Sequence, residues 1–164
     1  MDIESLSPDD LKFMRRALEL ARKAESEDEV PVGAVAVRNG EIIAEGYNMR
    51  EQSKLATHHA EILAIEGACR ALGGWRLPGV TLYVTMEPCA MCAGAIVNSR
   101  IERVVYAADD LRFGAFGSLI DLSKEPLNHK PTVDRGILGD EAKNMLSSYF
   151  KRKRKKPSAL EDGE

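Results

Sequence analysis

Val80-Thr81-Leu82-Tyr83-Val84-Thr85, followed by Met86-Glu87-Pro88-Cys89-Ala90-Met91-Cys92-Ala93-Gly94-Ala95-Ile96-Val97, decides the fold class. The first six residues are β-branched, aromatic and apolar, as a buried strand requires. Pro88 suits the first turn of a helix, which then runs through Val97. A strand feeding directly into a helix is half of a layered α/β unit. Working outward, Arg103 to Ala108 reads as another strand and Pro131 to Arg135 as the last one, before a helix from Asp140 to about Arg154. Upstream, His59 to Leu72 has helical periodicity through Ile62, Ile65, Ala68 and Leu72, and Gly73-Gly74 stops it. Val30 to Val37 and Glu41 to Tyr47 flank Asn39-Gly40, a dipeptide suited to a tight turn, and so form a β-hairpin. Ser7 as N-cap and Pro8 at the first helical position open an amphipathic helix to Ala24, with Leu11, Met14, Leu18 and Ala21 on its apolar side. Strands alternating with helices predict an α/β sheet.

The chain has 164 residues, 44% hydrophobic and 30% charged, which fits one soluble domain with a core of its own and excludes wholesale disorder. The domain is expected over residues 1–156, with Pro157 to Glu164 as a disordered tail. The acidic start, Met1 to Asp10, does not resemble a secretory signal. No apolar stretch approaches the roughly 18 residues that span a bilayer, so no membrane role is expected. The net charge of −3 conceals an asymmetry, because Lys151 to Lys156 are all basic and the rest is acidic. An acidic body with a basic end suggests local contact with a polyanion, although a solvated helix end would look the same.

Three cysteines, two of them three positions apart, read poorly as a disulfide framework and better as metal ligands in a reducing compartment, by default the cytoplasm. Cys89 and Cys92, at i and i+3, share one helix face. The unpaired N–H groups of a first turn there favour thiolate. With His59 they make three ligands, the count of a catalytic zinc site that leaves a fourth position for water. Cys69, His58 and His129 are the other candidates. Cys69, among apolar helix positions, reads as packing. His59 is preferred to His58 because Glu61 stands two positions after it, as in the His-x-Glu and Pro-Cys-x-x-Cys signature of zinc deaminases, where the glutamate moves protons and is not a ligand. The plain alternative for Glu61 is an acid favoured by the helix dipole.

Beyond the signature, the chain resembles bacterial tRNA-specific adenosine deaminases from its first helix to Lys151. Glu29-Val30-Pro31-Val32-Gly33-Ala34-Val35, Thr81 to Cys89, Met91-Cys92-Ala93-Gly94-Ala95-Ile96, Asn128-His129 and Arg135-Gly136-Ile137-Leu138 carry the likeness. The resemblance implies a three-layer α/β/α fold of the cytidine-deaminase type with a central mixed five-stranded sheet, bound Zn2+, and a homodimer with composite active sites. It also implies a tRNA anticodon stem-loop as partner, in which the wobble adenosine becomes inosine. On that likeness His59, Cys89 and Cys92 are zinc ligands and Glu61 is the proton shuttle. Asn48 contacts the nucleoside, Val30 and Pro31 belong to the pocket, Asp110 contacts RNA sugar and Arg112 faces RNA; Ala60 and Phe150 are further candidates for substrate contact. Asn48 could instead end a strand, Val30 could be core and Asp110 could cap a turn. Asp110-Leu111-Arg112 has Arg where the family has Lys, and Phe113 stands at a usually small position. Tyr149 and Phe150 offer faces for bases beside the basic run, with packing as the alternative for one of them. A deaminase of a free nucleobase or nucleotide, and a noncatalytic zinc-stabilised RNA-binding subunit, remain the rival functions.

Overall fold

The computed structural model describes residues 7–155. Lys156 and the expected tail from Pro157 to Glu164 lie outside the described residues. The element order is α1 (Pro8–Ser26), β1 (Gly33–Arg38), β2 (Glu41–Tyr47), α2 (Arg50–Ser53), α3 (Ala60–Leu72), β3 (Val80–Met86), α4 (Ala90–Asn98), β4 (Arg103–Ala108), β5 (Thr132–Arg135) and α5 (Gly139–Lys155). The five strands form one mixed sheet in the order β2-β1-β3-β4-β5. β1 pairs antiparallel with β2 and β3, while β3, β4 and β5 are mutually parallel. No helix among the described residues is long and apolar enough to cross a membrane.

Alternation along the strands sorts side chains to two faces. Ala34, Ala36, Leu82, Val84, Val104 and Tyr106 point to a core closed by α3 and α4, through Ala60, Ala64, Ala68, Ala93 and Ile96. Val35, Val37, Tyr83, Val105 and Ala107 point to a second core closed by α1 and α5. The result is the expected three-layer α/β/α architecture. In β1 both alternating sets are buried, so the strand reads as an unbroken apolar run.

Ser7 and Pro8 act as predicted. The Ser7 hydroxyl accepts the Asp10 N–H and the Asp10 carboxylate accepts the Ser7 N–H, both at 3.2 Å, in a capping box with proline in the first turn. The helix buries a wider arc than the sequence suggested, including Phe13, Ala17 and Leu20, and leaves Leu11 exposed at its edge. Asn39 and Gly40 both have positive φ, 52° and 75°, the geometry of a type I′ hairpin turn. Strand β1 starts at Gly33, later than the apolar run from Val30 implied.

Gly46 sets the height of α3 above the sheet. A Cβ there would lie 2.4 Å from the Ala60 carbonyl oxygen and 2.9 Å from the Ala64 nitrogen. Only glycine lets the first turn of α3, and with it His59 and Glu61, come this close to β2.

On the α1 side the Asp10 carboxylate is buried and accepts Tyr83 Oη at 2.6 Å and a bidentate Arg103 guanidinium at 2.7 and 3.1 Å. Arg103 Nε also donates to Asp134 at 2.7 Å. This network ties α1 to β3, β4 and β5. Burial opposes ionisation of Asp10, but Arg103, Tyr83 and Ser7 outweigh it and hold the carboxyl below its ordinary value.

Candidate active site and metal centre

Both deaminase motif segments end as helix N-caps. His59 is the N-cap of α3 and Cys89 the N-cap of α4, each in extended conformation. Helix α4 therefore begins at Ala90, two residues later than Pro88 suggested, and Cys92 sits in its first turn. Glu61 occupies the first turn of α3. Two positive helix ends thus converge on one point, where they favour anionic ligands and charge developing on a substrate.

The ligand atoms of His59, Cys89 and Cys92 all lie within 4.8 Å of one another. His59 Nδ1 is 3.7 Å from Cys89 Sγ and 3.6 Å from Cys92 Sγ. Tetrahedral zinc bonded to sulfur at about 2.3 Å and nitrogen at about 2.05 Å requires S···N edges of about 3.6 Å. The trio therefore fits zinc before any rearrangement. Protonation points the same way. The Cys92 thiol beside it pulls Cys89 down to about 4, against burial and with help from His59. Cys92 in turn is pushed up by its contact with Cys89 and by burial, and Cys89 raises His59. Side by side the two sulfurs cannot both ionise unless a cation lies between them, and zinc supplies that charge.

The other candidate ligands lie elsewhere. The Cys69 thiol donates to the Trp75 carbonyl at 3.8 Å, and His129 Nε2 lies 2.7 Å from the Ile101 carbonyl oxygen. His58 is absent from the trio, and its Nδ1 is buried without a hydrogen-bond partner among the described residues.

A cavity of about 330 Å³ opens over these residues, within the range of small-molecule sites. Val30, Asn48, Ala60, Glu61, Asp110 and Phe150 line it together with His59 and Cys89. Burial, which disfavours its charged form, raises Glu61 to about 7. A carboxyl at that value can both take and give a proton near neutrality.

Residues 7–108 match the family described as the cytidine and deoxycytidylate deaminase zinc-binding region. A tRNA-specific adenosine deaminase of Bacillus subtilis (strain 168) is 51% identical over 148 residues, covering 90% of this chain and 92% of that protein. The chain belongs to the tRNA-specific adenosine deaminases within the zinc-dependent cytidine deaminase family. A tRNA-specific adenosine deaminase of Haemophilus influenzae is 46% identical over 147 residues, covering 88% of this chain and 85% of its own. Among solved structures, one from work on A-to-I editing by tRNA:A34 deaminases at the wobble position of transfer RNA superposes with a TM-score of 0.80 at 46% identity. It covers 82% of this chain and 99% of that one. A guanine deaminase from Nitrosomonas europaea gives 0.72 at 29% identity, covering 87% and 84%.

Within this family member, the positions singled out by resemblance divide. Asn48 is buried; its Oδ1 accepts the Arg50 N–H at 3.3 Å and its Nδ2 reaches the Val30 carbonyl at 3.5 Å. Asp110 lines the cavity and also caps a turn, accepting the N–H groups of Arg112 and Phe113 at 3.1 Å. Phe113 is on the lining, whereas Pro31 and Arg112 are off it. Tyr149 packs inward, its hydroxyl 3.4 Å from the Asp28 carbonyl, and Phe150 is exposed at the cavity.

The basic run divides as well. Arg152 pairs with Glu25 and Lys153 with Asp28, both holding α5 to the end of α1. Lys151, Lys153 and Arg154, with Arg112, Lys143 and Phe150, border a second cavity of about 600 Å³ beside the first, so Lys153 both pairs with Asp28 and lines this groove. Met86 and Phe150 line both cavities, so the two are contiguous. Sequence reading missed Arg50, Val32, Met86 and Glu87 on the first lining. For Glu87 a signal existed: a charged residue between a buried strand and the metal-site proline.

Proposed function

We propose that this protein deaminates the wobble adenosine of a tRNA anticodon loop to inosine, holding zinc through His59, Cys89 and Cys92. The observation that carries the reading is the continuity of a buried, carboxylate-bearing pocket with a groove of cations. A free base would fill the first and have no use for the second, whereas a nucleotide within RNA places its base in the first and backbone phosphates along the second. When bound, zinc supplies Lewis acidity that brings the pKa of water toward about 7.

The chain's residues do the rest. Water adds at C6 of adenine, and Glu61 accepts a proton from it and delivers that proton to ring N1. The same carboxyl then carries the second proton to the amino group, which departs as ammonia and leaves inosine. The adenine must first leave its stack, which is easiest in a single-stranded loop, and Phe150 offers an exposed ring at the pocket mouth. Asn48, held by Val30 and Arg50, orients the nucleoside, and Asp110 faces its neighbour. The reading includes a homodimer, supported by the exposed apolar side chains of Trp75, which follows α3, and Met91 in α4, and it places the protein in the cytoplasm.

The test presents an anticodon stem-loop, free adenosine and free guanine to the zinc-loaded protein. Inosine should form in the stem-loop, with slow or no turnover of the free compounds. Efficient guanine turnover with inert RNA would overturn the substrate assignment in favour of the activity of the Nitrosomonas neighbour.

A further inference from the structure

Glu87 is buried, yet its carboxylate touches neither the metal ligands nor Glu61 by any hydrogen bond. It faces instead a loop whose donors come from 23 to 31 residues downstream. Oε1 accepts the Asp110 N–H at 3.1 Å; Oε2 accepts the N–H groups of Phe116 and Ser118, each at 3.1 Å; and the Ser118 hydroxyl donates to Oε1. A carboxylate offers about four lone-pair sites, and this one meets four donors. The backbone adds to the attachment. The Glu87 N–H donates to the Ala108 carbonyl at 2.8 Å, the Ala115 N–H donates to that of Pro88 at 2.9 Å, and Cys89 bridges Gly114.

Gly114 is the other half of the device. A Cβ at that position would lie 2.3 Å from the Glu87 carboxyl carbon and 2.5 Å from the Asp110 carbonyl oxygen. The loop closes around the carboxylate only because no side chain intervenes. Asp110 and Phe113, which this loop presents to the cavity, are therefore placed by a residue two positions before a zinc ligand.

We propose that Glu87 is a positioning residue that registers the substrate loop, 109–118, against the metal site and acts on RNA through Asp110 and Phe113. This deepens the tRNA deaminase reading and rests on it. The Glu87 side chain itself has no free acceptor left for substrate. Glutamine would turn one oxygen into a donor facing N–H groups, and aspartate would fall a methylene short.

The experiment compares wild type with Glu87→Gln, Gly114→Ala and the double variant, all zinc-loaded. Four quantities are read: zinc content, amide hydrogen exchange over 109–118, and kcat and KM on the stem-loop. Glu87→Gln should keep its zinc, exchange faster at Asp110, Phe116 and Ser118, and raise KM by about 10-fold or more, with a smaller change in kcat. Gly114→Ala should reproduce this from the opposite side, and the double variant should be no worse than the more severe single one.

Several results would reject the proposal: zinc loss on Glu87→Gln, a kcat defect with unchanged KM, or fully additive effects of the two changes. Should Glu87→Gln fail to fold, Gly114→Ala carries the same readouts. Should wild type leave the stem-loop unmodified, the proposed function fails. The loop assignment is then judged by exchange alone, with faster exchange at retained zinc supporting it and unchanged exchange rejecting it.

Discussion

The metal side of the pocket takes His59 and Cys89 from the N-caps of two core helices, with Glu61 and Cys92 one turn further on. The substrate side takes Asn48 from the end of a strand, Asp110 and Phe113 from an irregular loop, and Phe150 from a helix on the other face of the sheet. The metal-side residues all sit in the caps or first turns of α3 and α4, and the packing of these helices on the core, with Gly46 admitting α3, brings the two helix starts together. The substrate-side residues add contacts made across the chain, Asn48 to the Val30 carbonyl and the Asp110 N–H to Glu87, while the helix that carries Phe150 is tied down through Tyr149 and Asp28. One wall repeats the same helix-start placement on two helices that the core brings together. The other exists only once the whole domain has folded.

The metal wall should break completely when one ligand goes. Cys92→Ala should bind well under one zinc per chain, abolish deamination, and lower Tm, because a cation that binds only the folded state stabilises it by mass action. Cys69→Ala should keep both zinc and activity. Metal analysis with a melting curve checks the pair; zinc retained at full stoichiometry by Cys92→Ala would move the site elsewhere.

Glu61 separates proton transfer from metal holding on the same wall. Glu61→Ala should lower kcat by about 10²- to 10⁴-fold while zinc content is unchanged. If zinc leaves with the carboxylate, Glu61 belongs to the metal shell and its assigned role is wrong.

That difference in how the walls are built explains what was legible in the sequence. Cys89 and Cys92 could be read because a helix turns their i,i+3 spacing directly into proximity, and His59 with Glu61 because they fit the His-x-Glu signature of zinc deaminases. The strands, the hairpin turn at Asn39-Gly40 and the N-cap at Ser7 were legible for a similarly local reason, while the reciprocal Asp10 half of that cap was found only in the structure. Helix α2, with four residues, has no period to read. Val30 and Val32 looked like strand, since a pocket wall and a buried strand ask for the same apolar side chains; both line the cavity ahead of β1. The six basic residues gave no sign that Arg152 and Lys153 hold α5 to acids on and after α1, while Lys151, Lys153 and Arg154 border a groove. Pairing of that kind is tertiary and leaves no mark on spacing.

The groove tests the substrate wall. Lys143, Lys151 and Arg154 replaced together by alanine should weaken stem-loop binding and flatten its dependence on salt, by about 0.7 in log–log slope for each phosphate no longer neutralised. Zinc content and melting temperature should stay near wild type, because α5 is held to the end of α1 by Arg152 and Lys153, which the triple variant keeps. Binding titrations at two salt concentrations decide this. An unchanged slope would mean that RNA takes another path.

The smallest effect on catalysis should come from Asp10, which lies across the sheet from the metal ligands and touches none of the residues that line the pocket, and it sharpens the contrast by moving stability alone. Asp10→Asn removes the charge that Arg103 and Tyr83 share, and hydrogen bonds to charged groups are worth about 1.5–3 kcal/mol, so a loss of that order is expected at neutral pH. The pH dependence follows from the direction of the shift. The Asp10 carboxyl is lower in the folded state than its ordinary 3.8, so its stabilisation is complete above the unfolded value and disappears as pH falls through the folded one. Denaturant melts of wild type and variant should therefore differ most from about pH 6 to 7, and should converge as pH falls below about 4 and through the folded value. Turnover of the stem-loop at a temperature where both proteins are folded should be the same, since the network touches neither α3, α4 nor the 109–118 loop. A fall in kcat comparable to that of Glu61→Ala would show that the walls depend on general rigidity of the sheet rather than on their separate local and long-range supports.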